Sequence, residues 1–195
     1  MNESITMMDT TIIRLADLPR QRWKNNGGWT HEIARGGGED WLWRVSVADV
    51  ESDGAFSLFP GMLRELLILS GEGVALQFEN GQTIALTPEQ PRLRFDGDQP
   101  IYSRLLDGAV RDFNLIWQPA RVDTKLSEHE ISGLQTLAVA EEETLLLFVR
   151  AGKLQYEQET LLSGDSLLLN AGQAHTLTLE AQQAQMIVVR LRMRQ

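Results

Sequence analysis

Apolar and polar residues alternate along most of this chain with a period of two, the signature of half-buried strands. From 29 to 34 the alternation puts Thr30, Glu32 and Ala34 on one face and Trp29, His31 and Ile33 on the other. From 41 to 48 it sets Trp41, Trp43, Val45 and Val47 against Leu42, Arg44, Ser46 and Ala48. From 111 to 117, Asp112, Asn114 and Ile116 oppose Phe113, Leu115 and Trp117. Residues 66–69 form a continuous apolar run, read as a buried strand. Further strands are predicted at 11–15, 74–78, 83–86, 93–95 and 102–106, then at 134–139, 144–149, 153–156, 166–169, 176–179 and 186–191. Turn chemistry separates them: Asp17-Leu18-Pro19, Gly36-Gly37-Gly38, Asp53-Gly54, Pro60-Gly61, Ser70-Gly71-Glu72-Gly73 and Asn80-Gly81. No stretch carries a helical period. Many short strands, with turns about every ten residues, predict an all-β sandwich or barrel.

The pattern also repeats. Residues 67–78 and 146–156 each run as an apolar strand, a glycine turn and a return strand ending Leu-Gln-aromatic. Such self-similarity predicts two related β units. The polar stretch 119–132 has weak periodicity and is read as their linker. The expected division is therefore an N-terminal unit at 12–118 and a C-terminal unit at 119–195.

Composition narrows the class. The chain has 195 residues with 43% hydrophobic content, enough for a packed core. Net charge is −9, and a nucleic-acid binder would show a basic face, so that class is not expected. The basic bias sits early, at Arg14, Arg20, Arg22, Lys24 and Arg35; the Glu141-Glu142-Glu143 run reads as a solvated acidic surface. There is no cysteine, hence no disulfide and no thiolate chemistry. No apolar run reaches the roughly 18 to 20 residues of a membrane span, and residues 1–11 have neither a basic nor an apolar leader region. A cytoplasmic protein is expected, with no membrane partner and a homodimer left open.

One stretch concentrates chemistry. Residues 23–34 (WKNNGGWTHEIA) place a cation, two amides, two glycines, a hydroxyl, an imidazole and a carboxylate between and after two tryptophans. Adjacent glycines permit close backbone approach to a ligand. A turn and strand lining a small-molecule site is one reading; a tight hairpin with core tryptophans and solvated charges is the other. Metal binding needs three or four converging ligands, and the histidines are only His31, His129 and His175, so no metal is expected. Gly-x-Ser-x-Gly is absent, and Gly36-Gly37-Gly38 lacks the spacing and following helix of a phosphate loop. What remains is a set of polar strand faces that a barrel would bring together: Thr30, Glu32, Arg44, Ser46, Arg64, Asp112 and Asn114. Lys24 stands at the rim, with Phe56, Phe59 and Trp29 as apolar walls. Arginine forks match a carboxylate, so this set suits a small planar acid. A structural ion-pair network of Arg44, Glu32 and Asp112 is the competing explanation.

Gly164, Asn170-Ala171-Gly172 and His175 resemble the second cupin signature, with Asn170 where proline usually stands; the first signature is absent. More specifically, the chain from about residue 12 onward resembles the HutD/Ves family. The resemblance rests on Trp23-Lys24-Asn25 with Gly28, on Thr30-His31-Glu32-Ile33, and on Trp43-Arg44-Val45-Ser46. It continues in the Asp53 to Gly61 run ending Phe59-Pro60-Gly61, in Arg64, and in Asp112-Phe113-Asn114-Leu115. It implies a bicupin with no cofactor. The implied function is binding of a small anionic metabolite such as urocanate or formylglutamate, with a regulatory role in histidine utilisation or stress response. The candidate ligand-binding residues are Lys24, Asn25, Gly28, Thr30, Glu32, Arg44, Ser46, Phe56, Phe59, Arg64, Asp112 and Asn114. The alternative is a cupin-type isomerase or hydrolase acting on a small carboxylate, with Glu32 or Asp112 as acid or base.

Overall fold

The computed structural model describes residues 10–194; the residues read above for a leader lie largely outside that range. The strands are β1 (Thr10–Ile13), β2 (Arg20–Arg22), β3 (Gly28–Gly36), β4 (Trp43–Val50), β5 (Gly54–Ala55), β6 (Leu63–Ser70), β7 (Val74–Phe78) and β8 (Thr83–Leu86). They continue as β9 (Arg92–Asp96), β10 (Ile101–Leu105), β11 (Val110–Trp117), β12 (Val122–Val139), β13 (Glu143–Tyr156), β14 (Glu159–Leu162), β15 (Ser166–Leu169) and β16 (His175–Met193). Among the described residues the only helical segment is one 3₁₀ turn, Leu15–Asp17. No helix there is long and apolar enough to cross a membrane.

The chain separates into two compact units, residues 18–122 and residues 10–17 with 123–194. The N-terminal strand therefore groups differently from the sequence expectation: β1 pairs antiparallel with β15, Thr10 opposite Leu169 and Ile13 opposite Ser166. The polar 119–132 stretch is not a linker either, because β12 runs through it as a strand from Val122. Its first buried residues are Val122, Leu126 and Ile131, a spacing too sparse to stand out among its charged neighbours.

In the unit 18–122, one sheet has the order β2-β3-β4-β11-β6-β9 and a second the order β5-β10-β7-β8. Leu66 and Ile68 of β6, Val110 of β11 and Phe95 of β9 form one core cluster with Val74, Leu76, Phe78, Leu86 and Ile101. In the other unit the order is β1-β15-β13-β16-β12, with β14 on β13, over a core of Leu145, Leu147, Leu154, Leu167, Leu177, Leu179 and Val188. There the predicted pairs 144–149/153–156 and 176–179/186–191 are single long strands. The glycine at 152 makes a register shift rather than a turn. In both units the repeated glycine has positive φ, 95° at Gly71 and 85° at Gly152. A Cβ there would stand 2.6 Å from the Ala109 carbonyl oxygen and 2.4 Å from that of Gln183, respectively. Only glycine tolerates both conditions.

Candidate functional site

Register decides which polar residues meet. Across the six-stranded sheet, Arg44 of β4 pairs with Ile116 of β11, which pairs with Arg64 of β6. The next row is Ser46, Asn114 and Leu66, and the next is Ala48, Asp112 and Ile68. Thr30 of β3 stands opposite Ala48. Alternation puts Arg64, Leu66 and Ile68 on one face of β6. One sheet face thus supplies the apolar core toward Ile68 and a polar floor toward Arg64. Arg44 and Arg64 lie two strands apart, about 10 Å between backbones at the usual strand spacing.

Over this floor lies a cavity of about 610 Å³. Its walls come from the turn before β3 and the segment after β5. Trp23 donates its Nε1–H to Thr30 Oγ1 at 2.8 Å and meets Phe56 edge-on, ring centroids 6.5 Å apart. The turn is held by Asn26 N–H to the Trp23 carbonyl at 3.0 Å and by Gly27 N–H to Asn25 Oδ1 at 3.0 Å; Asn26 takes a φ of 56°. Phe59 lies within cation–π range of both arginines, 5.1 Å from the Arg44 guanidinium and 5.3 Å from that of Arg64.

The floor is buried and charged. Arg64 is 5% exposed, Asp112 2% and Asn114 7%. Arg64 donates from Nη1 to the Ser57 carbonyl at 3.2 Å, while its Nε has no partner. Arg44 Nε, Asp112 Oδ1 and Asn114 Oδ1 are likewise buried without partners. Buried polar atoms normally find hydrogen bonds, so four such atoms around one cavity mark it as a place built for polar contacts with something else. Burial lowers the pKa of Arg64 to about 10, against the pull of Asp112 and with a further push from Arg44. Burial also raises that of Asp112 to about 7, opposed by Arg64 and reinforced by Asp49. Arg44 is lowered by burial, with Glu32 opposing and Arg35 reinforcing.

Ten of the twelve residues expected from the sequence line this cavity: Lys24, Asn25, Thr30, Arg44, Ser46, Phe56, Phe59, Arg64, Asp112 and Asn114. Glu32 does not. A register shift between Glu32 and Ala34 bends β3 there, and Glu32 turns its carboxylate to Arg35, 3.4 Å away. Gly28 does not line it either. Its role is to let β3 approach β4, since a Cβ would stand 2.3 Å from the Asp49 carbonyl oxygen. Trp29 is no wall of the cavity; it carries Arg20 and Arg22 on its ring at 4.3 and 4.7 Å. The competing explanation, an ion-pair network of Arg44, Glu32 and Asp112, is not formed through hydrogen-bonded pairs: neither Arg44 nor Asp112 is among the salt-bridged residues described, and Glu32 pairs with Arg35.

Gln21, Arg22, Trp23, Ala48, Ala55 and Ser57 also line the cavity and were not among the candidate ligand-binding residues, although Trp23 belongs to the stretch that concentrates chemistry. Alternation from Arg44 and Ser46 already pointed to Ala48. Ser57 acts through its carbonyl, which leaves no mark on residue type.

The cupin likeness raises the question of a metal. The cavity lining holds no histidine and one carboxylate, flanked by two arginines. Among the described residues no three histidine or acidic side chains converge. This donor set does not fit a cupin metal centre.

The HutD family model matches residues 15–188. A 21.2 kDa protein from the hutC 3′ region of Pseudomonas putida is 41% identical over 128 residues, 62% of this chain; the match spans 64% of that protein's length. Protein Ves from Citrobacter koseri is 29% identical over 173 residues, 87% of each chain. The structure of HutD from Pseudomonas fluorescens SBW25, in a formate condition, has a TM-score of 0.83 at 30% identity and covers 95% of this chain and all of that one. YhhW from Escherichia coli, at 9% identity, shares the fold alone, with a TM-score of 0.71 over 93% of this chain and 97% of that one. The neighbours make the all-β fold cupin-like, and the relatives fit a histidine-utilisation setting. On the match of residues 15–188, the chain belongs to the HutD family.

Proposed function

We propose that this protein is a metal-free receptor for a small anionic metabolite, a urocanate- or formylglutamate-like carboxylate, with a regulatory role in histidine utilisation or stress response. In this reading the two units make a bicupin whose first half carries the site and whose second is degenerate. The observation that carries it is the pair of guanidinium groups of the buried Arg64 and the half-buried Arg44, each with a buried, unpartnered Nε beside one cavity. A guanidinium presents a planar fork that a carboxylate fills with two charge-assisted hydrogen bonds. Phe56, Phe59 and Trp23 offer flat apolar walls to the body of a planar acid, as small-molecule sites generally do.

The test is a thermal-shift panel of histidine-pathway acids followed by calorimetry on the best of them. The reading expects a saturable shift with urocanate or formylglutamate and recovery of the acid unchanged. No shift with any carboxylate would overturn it. One observation favours the enzymatic alternative: a buried carboxyl with a pKa raised to about 7 is suited to general acid–base work. Appearance of a new species in an NMR time course of protein with urocanate would select that alternative.

A further inference from the structure

We infer that the cavity takes up one proton with each carboxylate it binds, and that Asp112 is the group that receives it. The inference rests on the anion-receptor reading above and deepens it.

Asp112 lies at the end of the floor away from the arginine row, on β11 between Ala48 of β4 and Ile68 of β6, and it lines the same cavity as Arg64. It is 2% exposed, and its Oδ1 has no partner. The charged and titratable groups around it can be named strand by strand. β4 brings Arg44, and one residue past Ala48 brings Asp49, which Arg111 holds through contacts of 2.6 and 3.0 Å. β6 brings Arg64. β2 brings Arg22, tied to Glu51 at 2.5 Å, and the turn before β3 brings Lys24. β3 offers the neutral Thr30, with Glu32 turned away to Arg35. The buried Arg64 and the half-buried Arg44 therefore share the cavity with one buried carboxylate, and Arg64 is the cation whose field acts on it.

A carboxylate ligand that reaches Arg64 enters the cavity that Asp112 also lines, within the field of the same guanidinium. Two carboxylates in one desolvated site do not both stay ionised; one takes a proton. The ligand carboxylate holds the guanidinium forks, so the proton goes to Asp112. Once neutral, its O–H becomes a donor toward a ligand oxygen, and a buried acceptor becomes a buried pair. Asp112 already sits close to the point of protonation, at about 7, before any ligand arrives. The cost of adding the proton near neutral pH is accordingly small. Affinity for a carboxylate should be flat at low pH, where Asp112 is already neutral. It should then fall as pH rises above about 7, by up to tenfold per pH unit.

Formate is the probe, because it stays ionised across the range and offers only a carboxylate. Its binding to the full chain is followed by calorimetry from pH 6 to 9, in buffers of different ionisation enthalpy. The inference expects an apparent enthalpy that varies with buffer above pH 7, giving uptake that approaches one proton per formate, and a Kd that weakens with pH. Asp112→Asn should remove both effects while still binding formate. His31→Gln should keep them; histidine is the usual titrator in this range, and His31 stands on the opposite face of β3 from Thr30. Formate binding that is independent of both buffer and pH overturns the inference and leaves the receptor reading intact. Proton uptake that survives Asp112→Asn but vanishes in His31→Gln also overturns it. No formate binding at any pH, with no binding of urocanate either, overturns both.

Discussion

Asp112 is the residue on which the electrostatics of the floor turn, and its effect on stability has a definite sign. Its folded pKa of about 7 lies above the ordinary 3.8. Between those values the native state holds a proton that the unfolded chain has lost. Stability from this group is therefore greatest at acid pH and declines as pH rises toward 7, by on the order of 4 kcal/mol at most. Asp112→Asn should raise the melting temperature at pH 8 clearly more than at pH 4. An equal gain at both values would mean that Asp112 is ionised throughout. Arg64 supports a second prediction at the same scale. A bidentate charge-assisted contact is worth roughly 1.5 to 3 kcal/mol, so Arg64→Ala should weaken urocanate binding about ten- to a hundredfold. Arg64→Lys should restore only part of it, because an ammonium lacks the planar fork and five fixed donors. Full recovery with lysine would reduce the site to a point charge.

At the scale of elements, the approach of β3 to β4 depends on Gly28. Any Cβ at that position meets the Asp49 carbonyl oxygen at 2.3 Å, and backbone cannot step aside as a side-chain tip can. Gly28→Ala should destabilise the protein by about 1 to 3 kcal/mol, read from the denaturant midpoint. It should weaken urocanate binding further, because Trp23 and Asn25 are positioned by the same turn. An unchanged midpoint would show that the two strands separate freely.

The elements were legible in the sequence where period two and turn chemistry agreed. Arg44, Ser46, Asp112 and Asn114 fell on the expected faces because nothing interrupts β4 and β11 beside one another. Glu32 keeps the register that Thr30 begins, opposite Ser46, but its carboxylate turns to Arg35 just past the register shift, and a side chain's choice of partner leaves no trace in strand alternation. Trp29 was misjudged although its own alternation put it opposite Thr30; aromatic bulk suggested a wall where the strand face did not. The first part of β12, 122–132, was missed because one buried residue in four or five, among charges, does not read as a strand, whereas 134–139 was expected as one. The pairing of β1 with β15 joins residues about 156 apart in the chain, and no local pattern encodes such a partner.

At the scale of the whole molecule, a net charge of −9 makes an anion receptor an electrostatic puzzle that the local distribution answers. Arg22, Lys24, Arg44 and Arg64 all line one cavity that holds a single carboxylate, Asp112. The field at the cavity is set by these near groups, while distant acidic residues are screened beyond about 10 Å at moderate salt. Association of urocanate should therefore slow as ionic strength rises, and Lys24→Glu at the exposed rim should slow it further with a smaller effect on dissociation. Stopped-flow rates that ignore salt would assign no steering role to this cluster.

The central claim is that the arginine pair of residues 44 and 64 holds a carboxylate, and the most direct measurement compares three variants. Urocanate binding is measured by calorimetry for Arg64→Ala, Arg44→Ala and, in the other unit, Arg150→Ala, with melting curves to verify folding. The account predicts a ten- to hundredfold loss for the first two and parental affinity for the third. Parental affinity in both Arg64→Ala and Arg44→Ala, with loss in Arg150→Ala, would contradict it.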